Sequence, residues 1–268
     1  MRVLVAGAAG SLGRVVTVGL AGLGHEVVGL DLVPGPEGSP FAWHEADCAD
    51  ADAVAAVFAA LSTGGRIDAV VHLAGAPEEL SLPDELTSHV VTTAALLDAM
   101  VAHDVTRIVY ASSNHAVGRT PHADGELTEQ ALPRPDTYYG VAKVAAEALL
   151  RLFADRHGID AVVCRIGSFL EEPTSLRGLS TWLSHADGVR MVEAGLTAPA
   201  PGFAILHGIS ANTRAWWDLE PGRRLGYEPQ DDAEVFADRI EPGPHDEAEA
   251  EFVGGPFATA QFHRPALG

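Results

Sequence analysis

The fold is decided close to the first residue, by the stretch Val3-Leu4-Val5-Ala6-Gly7-Ala8-Ala9-Gly10-Ser11-Leu12-Gly13. Its apolar start predicts a buried strand, and the helical pattern Ser11–Leu23 follows the glycines directly. The GxxGxxG spacing places glycine where the chain turns tightly and where a phosphate can approach the backbone. The amino end of the helix then offers unpaired N–H groups to that phosphate. We therefore predict a dinucleotide site that includes Gly7, Gly10, Ser11, Leu12 and Gly13.

An acidic residue follows the second predicted strand, Glu26–Leu30. This residue, Asp31, lies 18 positions beyond Gly13, near the distance at which an acid hydrogen-bonds the ribose hydroxyls of a dinucleotide. Its charge also repels a 2′-phosphate. The sequence therefore predicts NAD as the cofactor rather than NADP. Two interpretations of Arg14 stay open, a position along the first helix or contact with a phosphate.

Two later segments extend the predicted cofactor site. Asp47 and Cys48 follow a third predicted strand at Phe41–Glu45. An acid at this place either accepts a hydrogen bond from the adenine amino group or caps the next helix, and both interpretations stay open for Asp47. A turn of small residues after the fourth strand lets the backbone pass close to a dinucleotide, and it consists of Leu73, Ala74 and Gly75.

Apolar runs alternate with helical patterns over the first two-thirds of the chain. The runs predict strands at Val3–Ala6, Glu26–Leu30, Phe41–Glu45, Ala69–Leu73, Arg107–Ala111 and Ala161–Ile166. The patterns between them predict helices at Ser11–Leu23, Ala51–Leu61, Asp84–His103 and Thr137–His157. Continuous apolar strands that alternate with helices are typical of a parallel sheet with both faces covered. We therefore predict an α/β fold, a doubly wound parallel sheet of the Rossmann type.

The alternation breaks after about residue 168. Helical patterns at Thr181–Leu196 and Asp231–Asp238 flank a strand-like Phe203–His207. We predict that residues 1–167 form the dinucleotide-binding region. Residues 168–268 are expected to form a small C-terminal substrate-binding lobe of the same compact domain.

Composition excludes several classes of protein. The 268 residues suffice for one sizeable core. A formal charge of −20, from 17 basic and 37 acidic residues, argues against nucleic acid or an anionic membrane as a partner. Two cysteines without a CxxC pair, no apolar run of about 18 residues and no signal-peptide pattern predict a cytoplasmic protein. The sequence contains no metal-ligand spacing such as HExxH, so we predict no metal.

The predicted chemistry lies on the helix Thr137–His157. Tyr139 and Lys143, the single lysine among the 17 basic residues, share one face of it at i and i+4. An ammonium beside a phenol stabilises the phenolate and lowers the pKa of the tyrosine, which then serves as a general base. Ser113 belongs to the Ser112–His115 run that ends the fifth strand, at the edge where α/β sheets bind ligands. We expect it to hold the reacting oxygen opposite Tyr139.

The glycine fingerprint, the strand-five serine and the Tyr/Lys helix, in this order, resemble the extended short-chain dehydrogenase/reductase family over essentially the whole chain. Further runs resemble the members of that family that oxidise uronic acids: Ser112–His115, Arg165–Ser168, Leu179–Ser184, Trp216–Asp218 and Leu225–Asp232. The resemblance implies a catalytic set of Ser113, Tyr139 and Lys143. It also implies cofactor contacts from Tyr139, Lys143 and Ile166, and substrate contacts from Ser113, Asn114, His115, Tyr139, Ser168 and Arg177.

The resemblance implies a reaction as well. NAD would accept a hydride from the anomeric carbon of a cyclic hexuronic acid such as D-glucuronate or D-galacturonate, and an aldarolactone would form. Tyr139 would take the proton of the C1 hydroxyl, and Arg177 would hold the C6 carboxylate through its fork of donors. The resemblance further implies a small-molecule substrate and a homo-oligomer.

This sequence departs from that family's pattern at three positions. Pro77 stands where a serine hydroxyl is usual, His89 stands where an asparagine is usual, and Ala142 replaces a serine inside the Tyr/Lys motif, a change expected to matter little. Two other functions stay open: an NAD-dependent nucleotide-sugar epimerase or dehydratase on the same scaffold, and a non-catalytic dinucleotide sensor. The short C-terminal part leaves less room for a nucleotide handle, and a sensor would be free to lose Tyr139 or Lys143, which this chain keeps.

Overall fold

The main sheet combines strands from the first two-thirds of the chain with one later strand. The computed structural model describes residues 1–267. Their strands are β1 Arg2–Ala6, β2 Glu26–Asp31, β3 Ala42–Glu45, β4 Ala69–His72, β5 Arg107–Ser113, β6 Asp160–Ile166, β7 Ser168–Phe169, β8 Trp182–Leu183 and β9 Phe203–Gly208. In this described part, seven strands pair in parallel in the order β3-β2-β1-β4-β5-β6-β9, while β7 pairs with β8 apart from them.

Helices cover both faces of this sheet. Within residues 1–267 they are α1 Ser11–Gly22, α2 Ala51–Ser62, α3 Leu82–Glu85, α4 Thr92–Ala102, α5 Tyr138–His157, α6 Gly178–Thr181, α7 His185–Thr197, α8 Glu220–Arg224 and α9 Asp246–Ala250. A π-helical turn, Leu86–Val91, joins α3 to α4. Apolar side chains of α2, α4 and α5 pack on one face of the sheet, and those of α1 and α7 on the other. The predicted doubly wound fold is confirmed.

Local sequence determines where α5 begins and ends. The Thr137 hydroxyl accepts a hydrogen bond from the N–H of Gly140 and so caps the first turn. The helix stops at Gly158, which adopts the left-handed conformation with a φ of 67°. Tyr139 therefore lies in the first turn of α5, and Lys143 lies one turn further on the same face.

The strand order reverses between β1 and β4. From β1 the chain proceeds outward to β2 and β3 and then returns to place β4 on the other side of β1. Helices on opposite faces diverge from the carboxyl ends of these two strands and leave a crevice, which is where open α/β sheets bind ligands. The glycine turn after β1 and the small-residue turn after β4 both line this crevice.

The strand predicted at Phe203–His207 is observed as β9, but its place differs from the prediction. It pairs with β6 as the last strand of the main sheet, and α7 packs beside α1 on one sheet face. The C-terminal part therefore completes the sheet as well as forming a lobe beyond it. The division at residue 167 stays a prediction.

Both helical patterns predicted in the C-terminal part are found, with differences. The helix predicted near Thr181–Leu196 is α7, which starts later, at His185, because Trp182–Leu183 form β8 and the Ser184 hydroxyl accepts from the N–H of Asp187. The segment predicted near Asp231–Asp238 is a 3-10 helix instead of an α-helix, at Ala233–Arg239.

Candidate active site

A cleft of about 600 Å³ lies at the crevice between β1 and β4. It brings together residues from five separate segments of the sequence. The predicted cofactor residues that line it are Gly7, Gly10, Asp31, Asp47, Cys48, Leu73, Ala74 and Gly75. Its position and lining match the dinucleotide site that the glycine spacing predicts.

The glycine turn leaves no space for side chains. Gly7 has a φ of +83°, and a Cβ on it would lie 2.6 Å from the backbone nitrogen of Ala74. A Cβ on Gly13 would overlap the carbonyl oxygen of Gly7, so α1 packs directly against the turn. Bare backbone therefore faces the cleft in front of the amino end of α1, which is the surface a pyrophosphate requires. The residues present fit a dinucleotide.

Asp31 holds the glycine turn in place. One carboxylate oxygen, Oδ2, accepts a hydrogen bond of 2.8 Å from the backbone N–H of Ala9. The side chain lies at the carboxyl end of β2 and lines the cleft, where it can also accept from ribose hydroxyls. Arg14 belongs to α1, but its side chain reaches back to the glycine turn. Its Nε donates to the Ala9 carbonyl at 2.6 Å, and the side chain lines the same cleft.

The structure excludes one of the two interpretations of Asp47. The cap of α2 is Asp50, whose carboxylate accepts from the N–H groups of Asp52 and Ala53. Asp47 instead lines the cleft and accepts from the N–H of Ala49 at 2.8 Å. Contact of Asp47 with the adenine stays a prediction.

Cys48 contributes a buried thiol to the cleft wall. Burial, with the neighbouring carboxylate of Asp47, raises the pKa of this thiol to about 12. The side chain is therefore a neutral, apolar contact surface and not a nucleophile.

Several predicted cofactor residues do not line this cleft: Ser11, Leu12, Gly13, Tyr139, Lys143 and Ile166. Leu12 and Ile166 pack against the core on the α1 side of the sheet. Direct cofactor contact from these residues stays a prediction. Sequence reasoning missed Ser88 and Thr92, which line the cleft from the far side because the π-helical turn carries them there.

Ser113, Tyr139 and Lys143 are brought together at the carboxyl end of β5. Ser113 is the last residue of that strand, its hydroxyl accepts from the N–H of His115 at 3.2 Å, and it is close enough to the Tyr139 phenol to lower the pKa of that group. The Lys143 Nζ donates to the Ala111 carbonyl at 2.7 Å and lies 5.2 Å from the centre of the Tyr139 ring. Residues that are distant in the sequence thus place one hydroxyl group and one ammonium group beside the phenol of Tyr139.

The pKa of Tyr139 differs from the prediction. Burial raises it to about 12, and the nearby Ser113 offsets only part of this effect. Burial also lowers the pKa of Lys143 to about 7, while the charges of Glu85 and Glu147 act against the shift. The phenol is therefore protonated at neutral pH, because loss of solvent outweighs the opposing effect of Ser113.

The predicted substrate residues surround a segment near the end of the described chain. Asn114 Nδ2 and Arg177 Nη2 both donate to the Val253 carbonyl, at 3.2 and 2.6 Å. The His115 ring lies 4.9 Å from that of Phe257, centre to centre. Sequence reasoning missed the segment that carries Val253 and Phe257, because nothing in its composition signals contact with residues more than 70 positions away.

Two further predicted residues have definite partners. His115 Nδ1 hydrogen-bonds the buried carboxylate of Asp136 at 2.9 Å. Ser168 Oγ lies 3.0 Å from the hydroxyl of Thr181. These contacts fix the orientation of His115 and Ser168 toward the end of β5.

Arg177 retains one N–H donor, its Nε, for a ligand. Its Nε is buried and has no hydrogen-bond partner among residues 1–267. Burial lowers the pKa of Arg177, and the charges of Asp136 and Glu249 raise it. The guanidinium stays charged, because an arginine keeps its proton in a protein. An unpaired N–H on a buried cation suits a carboxylate.

Two of the departures from the family pattern, Pro77 and His89, differ in burial. Pro77 is exposed in the segment after β4. His89 is buried, its ring meets that of Tyr139 edge-on at 5.0 Å, and its Nε2 lies 3.1 Å from the Ala76 carbonyl. Burial, with the charge of Lys143, lowers the pKa of His89 to about 2. A neutral imidazole therefore forms the wall behind Tyr139.

No helix of the described residues is long and apolar enough to cross a membrane. Among residues 1–267, the His, Cys, Asp and Glu side chains form no group of three that could hold a metal ion.

A dinucleotide cradle at the switch point of a doubly wound sheet, with Ser, Tyr and Lys beside it, defines a class of nucleotide-dependent sugar-modifying and alcohol-oxidising enzymes. Residues 3–171 match the model of the NAD dependent epimerase/dehydratase family. The chain belongs to that family.

Similar proteins span nearly all of the chain. A uronate dehydrogenase of Pseudomonas putida is 36% identical over 267 residues, which cover 97% of this chain and 96% of that protein. A crystal structure of uronate dehydrogenase from Agrobacterium tumefaciens superposes with a TM-score of 0.88 at 38% identity, covering 98% of both chains. A tyrosine-to-alanine mutant of that enzyme, complexed with NAD, also gives a TM-score of 0.88, at 38% identity and over 98% of this chain and 99% of the other.

Proposed function

We propose that this protein is an NAD-dependent dehydrogenase that oxidises the anomeric carbon of a cyclic hexuronic acid, D-glucuronate or D-galacturonate, to the aldarolactone. The observation that carries the proposal is the convergence of Ser113, Tyr139 and Lys143, with the neighbouring Asn114 bound to the same Val253 carbonyl as Arg177, whose buried Nε is unpaired within the described chain. The full-length similarity to uronate dehydrogenases supports it. The sugar of UDP-glucose has no carboxylate for this cation to bind.

Tyr139 acts as the proton acceptor in this proposal. The C1 hydroxyl of the sugar donates to the phenolate oxygen of Tyr139, and Ser113 donates to the same sugar oxygen and holds it in place. The Lys143 ammonium, 5.2 Å from the tyrosine ring, favours the phenolate by its charge. When bound, NAD⁺ supplies the hydride acceptor and a positively charged ring that further favours the phenolate. The C1–H and O–H bonds break and C1=O forms, so the product is a lactone.

Arg177 recognises the carboxylate of the sugar. Its Nη2 is held by the Val253 carbonyl, so the guanidinium is oriented before substrate arrives, and its Nε is left for a carboxylate oxygen. A charge-assisted hydrogen bond of this kind distinguishes a uronate from a neutral hexose. Asn114, His115 and Ser168 contact the ring hydroxyls.

The test is the absorbance of NADH formed from NAD⁺ with D-glucuronate, D-galacturonate, D-glucose, glucose 6-phosphate and UDP-glucose. We expect NADH with the uronates alone. Glucose 6-phosphate is the control for an anion without a carboxylate. An absence of NADH with both uronates contradicts the proposed function, and conversion of UDP-glucose to another nucleotide sugar without net NADH, followed by chromatography, favours the epimerase alternative.

Substitution of Tyr139→Phe tests the proton acceptor. The variant keeps the ring that packs against His89 but lacks the oxygen, so we expect a loss of kcat of about 100-fold or more with NAD⁺ binding retained. Val141→Ala is the control, since Val141 lies on the exposed face of the same helix. Full activity of the Tyr139 variant contradicts the mechanism.

The sequence-based expectation of a homo-oligomer belongs to the same proposal. Light scattering of the purified chain measures its mass in solution, and a monomer mass of 28.0 kDa contradicts it.

A further inference from the structure

Glu79 makes contacts that no part of the proposed reaction uses. It lies in the segment between β4 and α3, three residues after Ala76, which lines the cofactor cleft. Its two carboxylate oxygens accept hydrogen bonds from the backbone N–H groups of Tyr138 and Tyr139, at 2.8 and 3.0 Å. The second of these donors is the backbone of the proposed proton acceptor itself.

These two bonds hold a helix end that is otherwise open. The first N–H groups of an α-helix have no acceptor within the helix, and Tyr138 and Tyr139 are the first two residues of α5. The local cap, Thr137, accepts only from Gly140. The carboxylate of Glu79, 59 residues before Tyr138 and 60 before Tyr139, therefore accepts hydrogen bonds from these two N–H groups. Its negative charge also suits the positive end of the helix dipole.

The C-terminal segment, residues 264–266, contacts both Glu79 and the start of α5. Arg264 Nη1 donates to the backbone carbonyl of Glu79 at 2.5 Å, and the Tyr138 hydroxyl donates to the carbonyl of Arg264 at 2.8 Å. The N–H of Leu82 donates to the Ala266 carbonyl at 2.9 Å. The segment after β4, the start of α5 and the C-terminal segment are thus joined in one ring of hydrogen bonds.

We propose that Glu79 is a positioning residue for catalysis, which sets the place of the Tyr139 phenol relative to the cofactor cleft by fixing the first turn of α5 to the segment after β4. Arg264 holds that segment from the C-terminal side. The inference rests on the proposed function. A shift of a reacting group by about 1 Å can cost about 100-fold in rate, so loss of this link is expected to appear in kcat.

Glu79→Gln tests the link, with Glu78→Gln as the matched control. A glutamine offers one acceptor oxygen in place of two and turns an N–H₂ group toward the second donor. Glu78 is adjacent and exposed, makes no hydrogen bond through its side chain among residues 1–267, and loses the same charge on substitution. We expect kcat to fall by about tenfold or more in the Glu79 variant, with KM for NAD⁺ unchanged within about twofold.

Amide hydrogen exchange of the free protein provides a second measurement that does not need activity. We expect the exchange of the Tyr138 and Tyr139 amides to accelerate in Glu79→Gln and, to a smaller degree, in Arg264→Met, while the later turns of α5 exchange as in the wild type. A kcat within about twofold of the Glu78 control overturns the inference. So does acceleration spread evenly along α5, because that indicates general destabilisation. If the wild type oxidises no uronate, the proposed function fails. Independently of activity, unaltered exchange at Tyr138 and Tyr139 in Glu79→Gln overturns the proposed link between Glu79 and the first turn of α5.

Discussion

Lys143 illustrates how a single side chain is selected by its surroundings. It is 4% exposed, donates to the Ala111 carbonyl and lies between the rings of Tyr110 and Tyr139, at 4.9 and 5.2 Å from their centres. A compact ammonium on an apolar stem fits this space. The other 16 basic residues are arginines, so the chain retains lysine only where a guanidinium would be too large.

Lys143→Arg is therefore expected to lose most activity although it conserves the charge. The planar guanidinium is bulkier, and it would displace Tyr139 or the end of β5, so we expect kcat to fall by about 100-fold. Arg151→Lys is the matched control, because Arg151 lies on the exposed face of the same helix. Steady-state rates of NADH formation measure both, and a near-wild-type rate for Lys143→Arg contradicts the prediction.

The low pKa of Lys143 predicts a pH dependence of stability. Burial lowers this pKa from 10.5 to about 7, so between these two values the unfolded chain binds a proton that the folded protein does not. This group therefore makes the folded state more stable as the pH rises through that window, by up to about 1.4 kcal/mol per pH unit. Below pH 7 both states are protonated and the effect ends.

Denaturant unfolding of the wild type and of Lys143→Met measures this dependence. Because the variant lacks the titrating group, the free energy of unfolding of the wild type minus that of the variant is expected to increase as the pH rises from 7 toward 10.5. A difference that stays constant over this window would show that Lys143 is solvated in the folded protein.

At the scale of elements, the site depends on how closely α5 approaches the turn after β5. Gly140 makes this approach possible, since a Cβ at this position would overlap the backbone carbonyl oxygen of His115. The adjacent Tyr139 is thereby brought to Ser113. Glycine is otherwise unfavourable inside a helix, by about 1 kcal/mol relative to alanine.

Gly140→Ala is expected to reduce activity although alanine is the better helix former. The added methyl group forces α5 away from the turn after β5 and separates Tyr139 from Ser113, so we expect kcat to fall by about tenfold or more. Val141→Ala on the exposed face of α5 is the control. Equal rates for the two variants, measured as NADH formation, contradict this account.

At the scale of the whole molecule, the charge of −20 opposes the approach of an anionic substrate. The opposing field is long-range and acts through solvent, so salt screens it over about 8 Å at physiological ionic strength. Arg177 acts at contact and is buried, so salt weakens its attraction much less. The protein thus combines a repulsive surface with a local cationic site.

Raising the ionic strength from about 20 to about 150 mM is therefore expected to lower KM for a uronate, by no more than about threefold. Steady-state kinetics in sodium chloride measure the effect, and sucrose at equal osmolarity is the control, since it carries no charge. A KM that rises with salt would mean that attraction by surface cations governs substrate approach.

Site residues were predictable where spacing along the sequence sets their positions, and not where contacts between distant segments set them. Gly7, Asp31 and the Tyr139/Lys143 pair were predictable because spacing along one strand or one helix determines their relative positions. The raised pKa of Tyr139 was not, since it depends on the burial that results from packing of several segments. Likewise, Glu79 and Val253 have no local pattern, because they bind backbone groups from distant segments.

The sequence alone determined the doubly wound fold, the dinucleotide cradle and the placement of tyrosine and lysine on one helix face, because hydrophobic period and glycine spacing are local properties of a chain. Only the tertiary structure decided that β9 joins the main sheet, that a C-terminal segment orients Asn114 and Arg177, and that Glu79 holds the first turn of α5. These features arise from contacts between residues far apart in sequence, whose energies depend on burial and distance in three dimensions.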